Sequence, residues 1–206
     1  MTEQSKPAFD VYQAAGKRAW KQVDRDELWK ALTKHASPDA LRYNICGVRV
    51  LDGSALATDG KRLLVVNDIA RGTSNAIYAV TCVRVTLELV SGEFPDINAL
   101  FSDHVMAQKP QRFTLKNFGK LRKINAETPV RLTSDGFLIG SGPCEGIALN
   151  LRYLTQLPFT DEELTVDVRG NTDPVIVRPT LGGWLAVVMP VRIEAKDSFL
   201  REVANG

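Results

Sequence analysis

Hydrophobic residues first repeat at helical spacing between residues 24 and 36. Four positions share one side of such a helix: Leu28, Ala31, Leu32 and His35. Lys30 and Lys34 fall on the opposite side, Asp24 is a candidate N-cap, and residues 37–39 end the pattern. The pattern therefore predicts an amphipathic helix whose outer side carries lysines.

The chain then changes to strand-like sequence. Short stretches rich in β-branched residues lie between residues 43 and 67, and Asp-Gly pairs at 52–53 and 59–60 separate them. Asp-Gly pairs favour the tight turns of β-hairpins, because both residues tolerate a positive φ. Residues 76–90 supply further strand material. We expect consecutive antiparallel hairpins after the helix.

The same order of elements recurs in the second half of the chain. Residues 112–125 predict a second helix, with Thr114 as a candidate N-cap. Lysines again fall on the side opposite the apolar residues: Lys116, Lys120 and Lys123. The hairpin sequence at 129–141 then matches the one at 47–58 with an offset of 82 residues. This match indicates a weak internal duplication.

The last part of the chain predicts one more helix and a final set of strands. The helix covers residues 150–157, and the strands cover 163–170, 173–180 and 183–193. With the duplication, these elements indicate an α+β fold of two domains, each an antiparallel sheet packed against short amphipathic helices. We place a flexible arm at 1–17 and the domains at 18–107 and 108–206, the second with a C-terminal extension.

Composition restricts the setting and the chemistry. The 206 residues are 44% hydrophobic, and no apolar run approaches the roughly 20 residues that span a bilayer. The N-terminus shows no secretory pattern, so a cytoplasmic protein without membrane association is expected. Cysteines and histidines are few and widely spaced: Cys46, Cys82, Cys144, His35 and His104. We therefore expect no metal site, no cofactor and reduced thiols.

Three features could indicate an enzyme, and each has a simpler interpretation. The cluster at 59–62 (Asp-Gly-Lys-Arg) lacks the spacing of a phosphate-binding loop, and strand-like sequence flanks it, which favours a hairpin turn. Asp161 and Glu162 could act as an acid–base pair, but adjacent acids before a strand are typical of a solvated turn. Cys46 has no histidine near it in sequence, which favours a core thiol over a nucleophile. A non-catalytic protein is expected.

The lysine-bearing helix sides have two interpretations. They could be ordinary solvated faces, since most amphipathic helices have one. Their repetition in both halves, without acidic residues among them, favours contacts with DNA phosphates that do not depend on sequence. The net charge is only +2, so this prediction depends on where the lysines lie. The candidate DNA-binding residues are Lys30, Lys34, Lys116, Lys120 and Lys123.

Three short stretches resemble signature motifs of the bacterial DNA polymerase III β sliding clamps, in the same order. They are "ATDGKRL" at 57–63, "GEFPDINALF" at 92–101 and "VVMPVRI" at 187–193. The resemblance implies a DNA-clamp fold and a non-catalytic subunit that encircles duplex DNA and tethers a DNA polymerase or clamp loader. Six clamp domains complete a ring, so two-domain chains are expected as a trimer, with a dimer as the alternative.

The resemblance also implies a hydrophobic groove for short linear peptides. The positions that match the family's groove are Ile45, Thr58, Gly60, Lys61, Arg62, Leu63, Val187, Val188, Met189, Pro190, Val191, Arg192 and Ile193. Lys61 replaces the histidine that is usual in the motif. Residues after Ile193 extend beyond the family's usual end and could fold back over the groove.

The chain also departs from the family in length. It is little more than half as long as the bacterial protein, and its first domain is trimmed. A compact clamp encoded by a phage or plasmid would explain this, and so would a clamp-derived protein with another role. The alternative function is a regulatory module with the clamp fold that binds replication or transcription machinery without encircling DNA.

Overall fold

The computed structural model describes residues 25–39, 41–42, 44–80, 85–101, 111–115, 129–133, 136–139, 148–158, 164–169, 172–179 and 182–191. Within these ranges the helices are α1 (Arg25–His35), α2 (Leu151–Thr155) and a 3₁₀ helix (Ile97–Phe101). The strands of the first half are β1 (Gly47–Leu51), β2 (Ser54–Thr58), β3 (Arg62–Val66), β4 (Ala76–Val80) and β5 (Val85–Leu89). Those of the second half are β6 (Gln111–Leu115), β7 (Pro129–Thr133), β8 (Gly136–Ile139), β9 (Ala148–Asn150), β10 (Leu164–Val168), β11 (Val175–Pro179) and β12 (Trp184–Val188).

Helix α1 has the predicted orientation. Its four repeating positions are all buried, and Lys30 and Lys34 are exposed. Asp26 and Glu27 in the first turn and Lys34 in the last turn lie at the ends where the helix dipole favours their charges. No described helix is long and apolar enough to cross a membrane.

The larger sheet contains strands from both halves of the chain. Its nine strands follow the order β5-β4-β1-β2-β3-β12-β11-β10-β6, and every neighbouring pair is antiparallel. The β3–β12 pair joins the halves, with Trp184 opposite Val66 and Val188 opposite Arg62. We call this pair the seam.

The predicted hairpin turns are confirmed. Leu51 pairs with Ser54, so Asp52 and Gly53 form a two-residue turn, and both have a positive φ, 48° and 80°. β2 and β3 form the next hairpin, in which Gly60 has a φ of 87°. Positive φ at these positions is the conformation that Asp and Gly accommodate most easily.

The second predicted helix begins differently from the expectation. Residues 111–115 form strand β6, in which Thr114 pairs with Thr165 of β10, so the prediction of a helix that starts at 112 with Thr114 as its N-cap is wrong. Pairing with β10 overrode the local pattern, and an ion pair from Arg112 to the buried Asp167 accompanies it. Lys116, Lys120 and Lys123 lie outside the described residues.

A smaller sheet has the order β8-β7-β9. β7 begins and ends 82 residues after β1, and it pairs with β8 as β1 pairs with β2: Arg131 opposite Leu138, and Arg49 opposite Leu56. The duplicated hairpin is therefore present in both halves, although β1 belongs to the larger sheet and β7 to the smaller one.

Side chains of the larger sheet alternate between two buried layers. One layer, which we call the helical face, packs against α1 and α2 and includes Leu64, Val66 and Ala186. The opposite face carries Leu63 and Val187 under the segment 90–101, whose Phe94 and Phe101 are buried. This alternation decides which side chains of the seam reach each face.

Candidate functional site

The turn between β2 and β3 is held by its own side chains. Thr58 Oγ1 donates to the Arg62 carbonyl oxygen at 2.6 Å and accepts from the Gly60 amide at 3.1 Å. Asp59 Oδ1 accepts from the amides of Lys61 at 2.9 Å and of Arg62 at 3.1 Å. The cluster at 59–62 is therefore a rigid hairpin turn, as predicted.

Arg62 connects this turn to both helices. Its Nε donates to Asp59 Oδ2 at 2.9 Å, its Nη2 donates to the Lys34 carbonyl oxygen at the end of α1, and its Nη1 donates to Gln156 Oε1 just after α2. The guanidinium carbon lies 4.7 Å from the centre of the Tyr153 ring, within the range of a cation–π contact. Because α1 and α2 come from different halves of the chain, Arg62 links the halves across the seam.

Arg62 is buried, with 7% of its surface exposed. Burial lowers the pKa of the guanidinium, and the ion pair with Asp59 opposes this shift. The group remains charged, since an arginine pKa stays far above neutral pH. A buried cation of this kind needs all of its hydrogen-bond partners, and the turn, α1 and Gln156 supply them.

A cleft of about 650 Å³ opens beside Arg62 on the helical face. The end of α1, the turn, the end of β4 and α2 form its walls, and its polar lining includes Lys34, Asp59, Arg152 and Gln156. Tyr153 and small apolar side chains supply the rest of the lining. The cleft therefore combines an apolar surface with a few polar groups, as binding sites for peptides and small molecules do.

His35, between the cleft-lining residues Lys34 and Ala36, is fully buried. Its Nδ1 donates to the Ala31 carbonyl oxygen at 2.7 Å, and its Nε2 has no hydrogen-bond partner among the described residues. Burial, together with the positive charges of Arg62 and Lys34, lowers the pKa of His35 from 6.5 to about 3. The imidazole is therefore neutral at physiological pH.

The structure places four of the predicted groove residues in the seam and divides them between the two faces of the sheet. Leu63 and Val187 face the segment 90–101, whereas Arg62 faces the helices. Beyond β12, the Met189 amide donates to the Lys61 carbonyl oxygen at 2.9 Å, which holds the end of β12 against the turn.

The other predicted groove residues vary in exposure. Ile45 and Val188 are buried, Met189 and Pro190 are half-buried, and Val191 is 39% exposed. Arg192 and Ile193 lie outside the described residues.

Sequence reasoning missed the contribution of α2. Tyr153 and Gln156 meet Arg62 from 91 and 94 positions away, so no local pattern could have indicated the contact. Arg152 is an exposed cation at the cleft that the lysine analysis did not include. In the part of the chain that the structure describes, no group of three or more His, Cys, Asp or Glu residues is placed to bind a metal ion.

Comparison with solved structures identifies the fold. The Caulobacter crescentus pol III beta structure has a TM-score of 0.59 and 17% sequence identity, and the match covers 84% of this chain and 66% of that one. DNA polymerase III beta subunit of Thermotoga maritima matches with a TM-score of 0.58, 16% identity, and 84% and 65% coverage. The DNA polymerase sliding clamp of Bacillus subtilis matches with a TM-score of 0.56 and 18% sequence identity, and the match covers 84% of this chain and 64% of that one.

The chain therefore has the fold of the bacterial DNA polymerase III β sliding clamps, and the α+β clamp fold expected from the three motifs is confirmed. No family model matches the sequence, and no curated protein matches it. The chain spans about two thirds of the length of these clamps, and at identities below 20% the similarity establishes the fold alone.

Proposed function

We propose that this protein is a non-catalytic, cytoplasmic processivity factor that works as a sliding clamp does. It contacts duplex DNA without reading its sequence and tethers a DNA polymerase or another DNA-processing enzyme through a short peptide. The observation that carries the proposal is the meeting of the turn 58–62 with residues 187–189 at the seam of a clamp fold. Both stretches belong to segments that resemble clamp motifs, and Asp59 and Arg62 of the turn line the adjacent cleft.

The peptide site of the proposal is the cleft and the adjoining turn. Tyr153 offers an aromatic surface in the cleft, and Arg62 keeps the walls at fixed positions. Met189, which the resemblance assigns to the groove, adjoins the turn through its backbone amide. One clamp with the same fold, that of Bartonella birtlesii, has been solved bound to griselimycin. That clamp therefore has a ligand-binding site, which supports the expectation of one in this chain.

The peptide site is tested by fluorescence anisotropy with a labelled ten-residue peptide from the C-terminus of a bacterial replicative DNA polymerase. Tyr153→Ala should weaken binding about tenfold, because an aromatic anchor typically contributes more than 1 kcal/mol to a peptide site. Tyr78→Phe changes a tyrosine of β4 that does not line the cleft, so it is the control and should leave the affinity unchanged. Equal affinities of all three proteins would exclude the cleft as the tether site.

DNA contact in the proposal comes from the outer side of α1. Lys30 and Lys34 are both exposed there, and Lys116, Lys120 and Lys123 are proposed to act with them from the second half. Lys30→Glu should reduce the slope of log K against log salt by about one, since one phosphate contact is lost. Arg71→Glu, at an exposed arginine of the loop after β3, is the control and should not change the slope.

Ring closure is the part of the proposal that concerns assembly. A trimer of two-domain chains would supply six clamp domains, with a dimer as the alternative. A closed ring stays on nicked circular DNA and is lost when the circle is linearised. Equal retention on both forms, together with a monomer by light scattering at tens of micromolar, would refute the ring.

The second candidate is a regulator that binds replication or transcription machinery without encircling DNA. The observation that favours it is the trimmed first domain, in which the stretch 76–90 is too short to hold the second helix and strand pair of the family. The same retention experiment separates the candidates, because a regulator shows no dependence on DNA topology.

A further inference from the structure

Positive charges gather around the cleft with little compensation. Among the described lining residues there are three cations, Lys34, Arg62 and Arg152, and one carboxylate, Asp59. Asp59 is already engaged by Arg62 and by two backbone amides of the turn. Lys34 and Arg152 are exposed and approach the cleft from α1 and α2.

The cations are close enough to influence their neighbours. The charge of Arg152 lowers the pKa of Arg62, and the charges of Arg62 and Lys34 lower the pKa of His35. Clustered like charges destabilise the protein that carries them. An anionic group between Lys34 and Arg152 would remove this repulsion.

Arg62 itself is not the anion-binding group. Each of its three guanidinium nitrogens already donates a hydrogen bond, and the Tyr153 ring covers the guanidinium. Lys34 and Arg152, on the two walls, are the cations that remain accessible to a ligand. Arg62 therefore positions the walls, and Lys34 and Arg152 are the cations available to contact a ligand.

The apolar part of the lining identifies the class of ligand. Ala36, Pro38, Ala79 and Val80 line the cleft together with Tyr153. A DNA backbone offers only phosphates and small sugar rings to such a surface, whereas a peptide can place a hydrophobic side chain there and a carboxylate at the rim. A volume of about 650 Å³ fits a few residues of extended chain.

We propose that the cleft selects acidic peptides, with a carboxylate side chain of the partner bound between Lys34 and Arg152 and a neighbouring hydrophobic side chain packed near Tyr153. This assignment rests on the proposed tethering function and specifies the chemistry of its partner. It also moves Lys34 from the DNA-contacting side of α1 to the peptide site and leaves Lys30 on the DNA side.

The test compares two labelled peptides by fluorescence anisotropy at low salt. One carries two carboxylates beside a Leu-Phe pair, and the other has the corresponding amides. The acidic peptide should bind about tenfold more tightly, the size expected of one charge-assisted hydrogen bond pair. Arg152→Gln and Lys34→Gln should each reduce this preference to about threefold or less, and Arg71→Gln, the matched control, should preserve it.

Stability of the free protein supplies a second measurement. Arg152→Gln should unfold in urea at the same concentration as the unmodified protein or at a higher one, because the change relieves repulsion with Arg62. A lower unfolding midpoint would show that Arg152 has a structural role and would overturn the assignment.

The outcomes separate this inference from the proposed function. Equal affinity for both peptides overturns the acidic preference and leaves the tether intact, whereas no binding of either peptide removes the tether as well. A different result would be that duplex DNA displaces the acidic peptide and that Arg152→Gln and Lys34→Gln weaken DNA binding as much as peptide binding. That result would make Lys34 and Arg152 a phosphate site and overturn the inference.

Discussion

Acid should destabilise this protein through His35. The ring is fully buried, its Nδ1 donates to the Ala31 carbonyl oxygen, and its Nε2 has no partner among the described residues. Burial and the charges of Arg62 and Lys34 lower its pKa from 6.5 to about 3. The unfolded chain therefore binds a proton below pH 6.5 that the folded protein refuses until about pH 3.

The size of the effect follows from these two values. Stability is lost as pH falls through the window between them, because protonation favours the unfolded state there. At pH 5 the free energy of unfolding should be about 2 kcal/mol lower than at pH 8 on account of this one residue. At pH 4 the loss should reach about 3 kcal/mol.

Urea denaturation at a series of pH values measures this loss. His35→Asn retains a side-chain donor for the Ala31 carbonyl oxygen and does not titrate. Between pH 8 and pH 5 the free energy of unfolding of the variant should therefore fall by about 2 kcal/mol less than that of the unmodified protein. The chain has only two histidines, and His104 is the same in both proteins, so the difference isolates His35. Parallel pH profiles of the two proteins would refute the reasoning.

Three further predictions concern residues that fix the site or the sheet. Arg62→Lys should lower the free energy of unfolding by about 3 kcal/mol in urea denaturation, since an ammonium cannot hold three partners in a fixed fork; an unchanged midpoint would contradict the linking role of Arg62. Asp167→Asn should cost about 2 kcal/mol, because this 1% exposed carboxylate accepts from two arginines, and high salt should not abolish the difference. Gly47→Ala should cost about 2 to 3 kcal/mol in thermal unfolding, since its Cβ would lie 2.6 Å from the Tyr78 carbonyl oxygen. Gly72→Ala, with open space around it and a φ of 81°, should cost only about 1 kcal/mol, and equal costs would refute the packing argument.

Local sequence signals were sufficient where neighbouring residues determine the structure. Helix α1 was predictable because its apolar positions follow the helical period, and the turn at 52–53 was predictable because Asp and Gly accept a positive φ. Three motifs together were specific enough to indicate the clamp fold, which the structural comparison confirmed.

Contacts between distant residues were beyond the reach of the sequence. Arg62 begins the otherwise apolar strand β3, and no nearby residue shows that its partners lie on two helices. β6 was mistaken for a helix start because its pairing with β10 depends on residues 49 to 57 positions away. The cleft arises only when α1 and α2 meet on the same face of the sheet.

The number of strands in the larger sheet limits how copies of the chain can join. The nine strands of the described residues alternate in direction, so the two outermost among them, β5 and β6, point the same way. A second copy related by translation alone would therefore place its β6 beside β5 of the first copy as a parallel pair, which is slightly less stable than an antiparallel one. Rotation by half a turn about an axis perpendicular to the sheet would instead place β5 against β5 in opposite directions and leave the helices of both copies on one side.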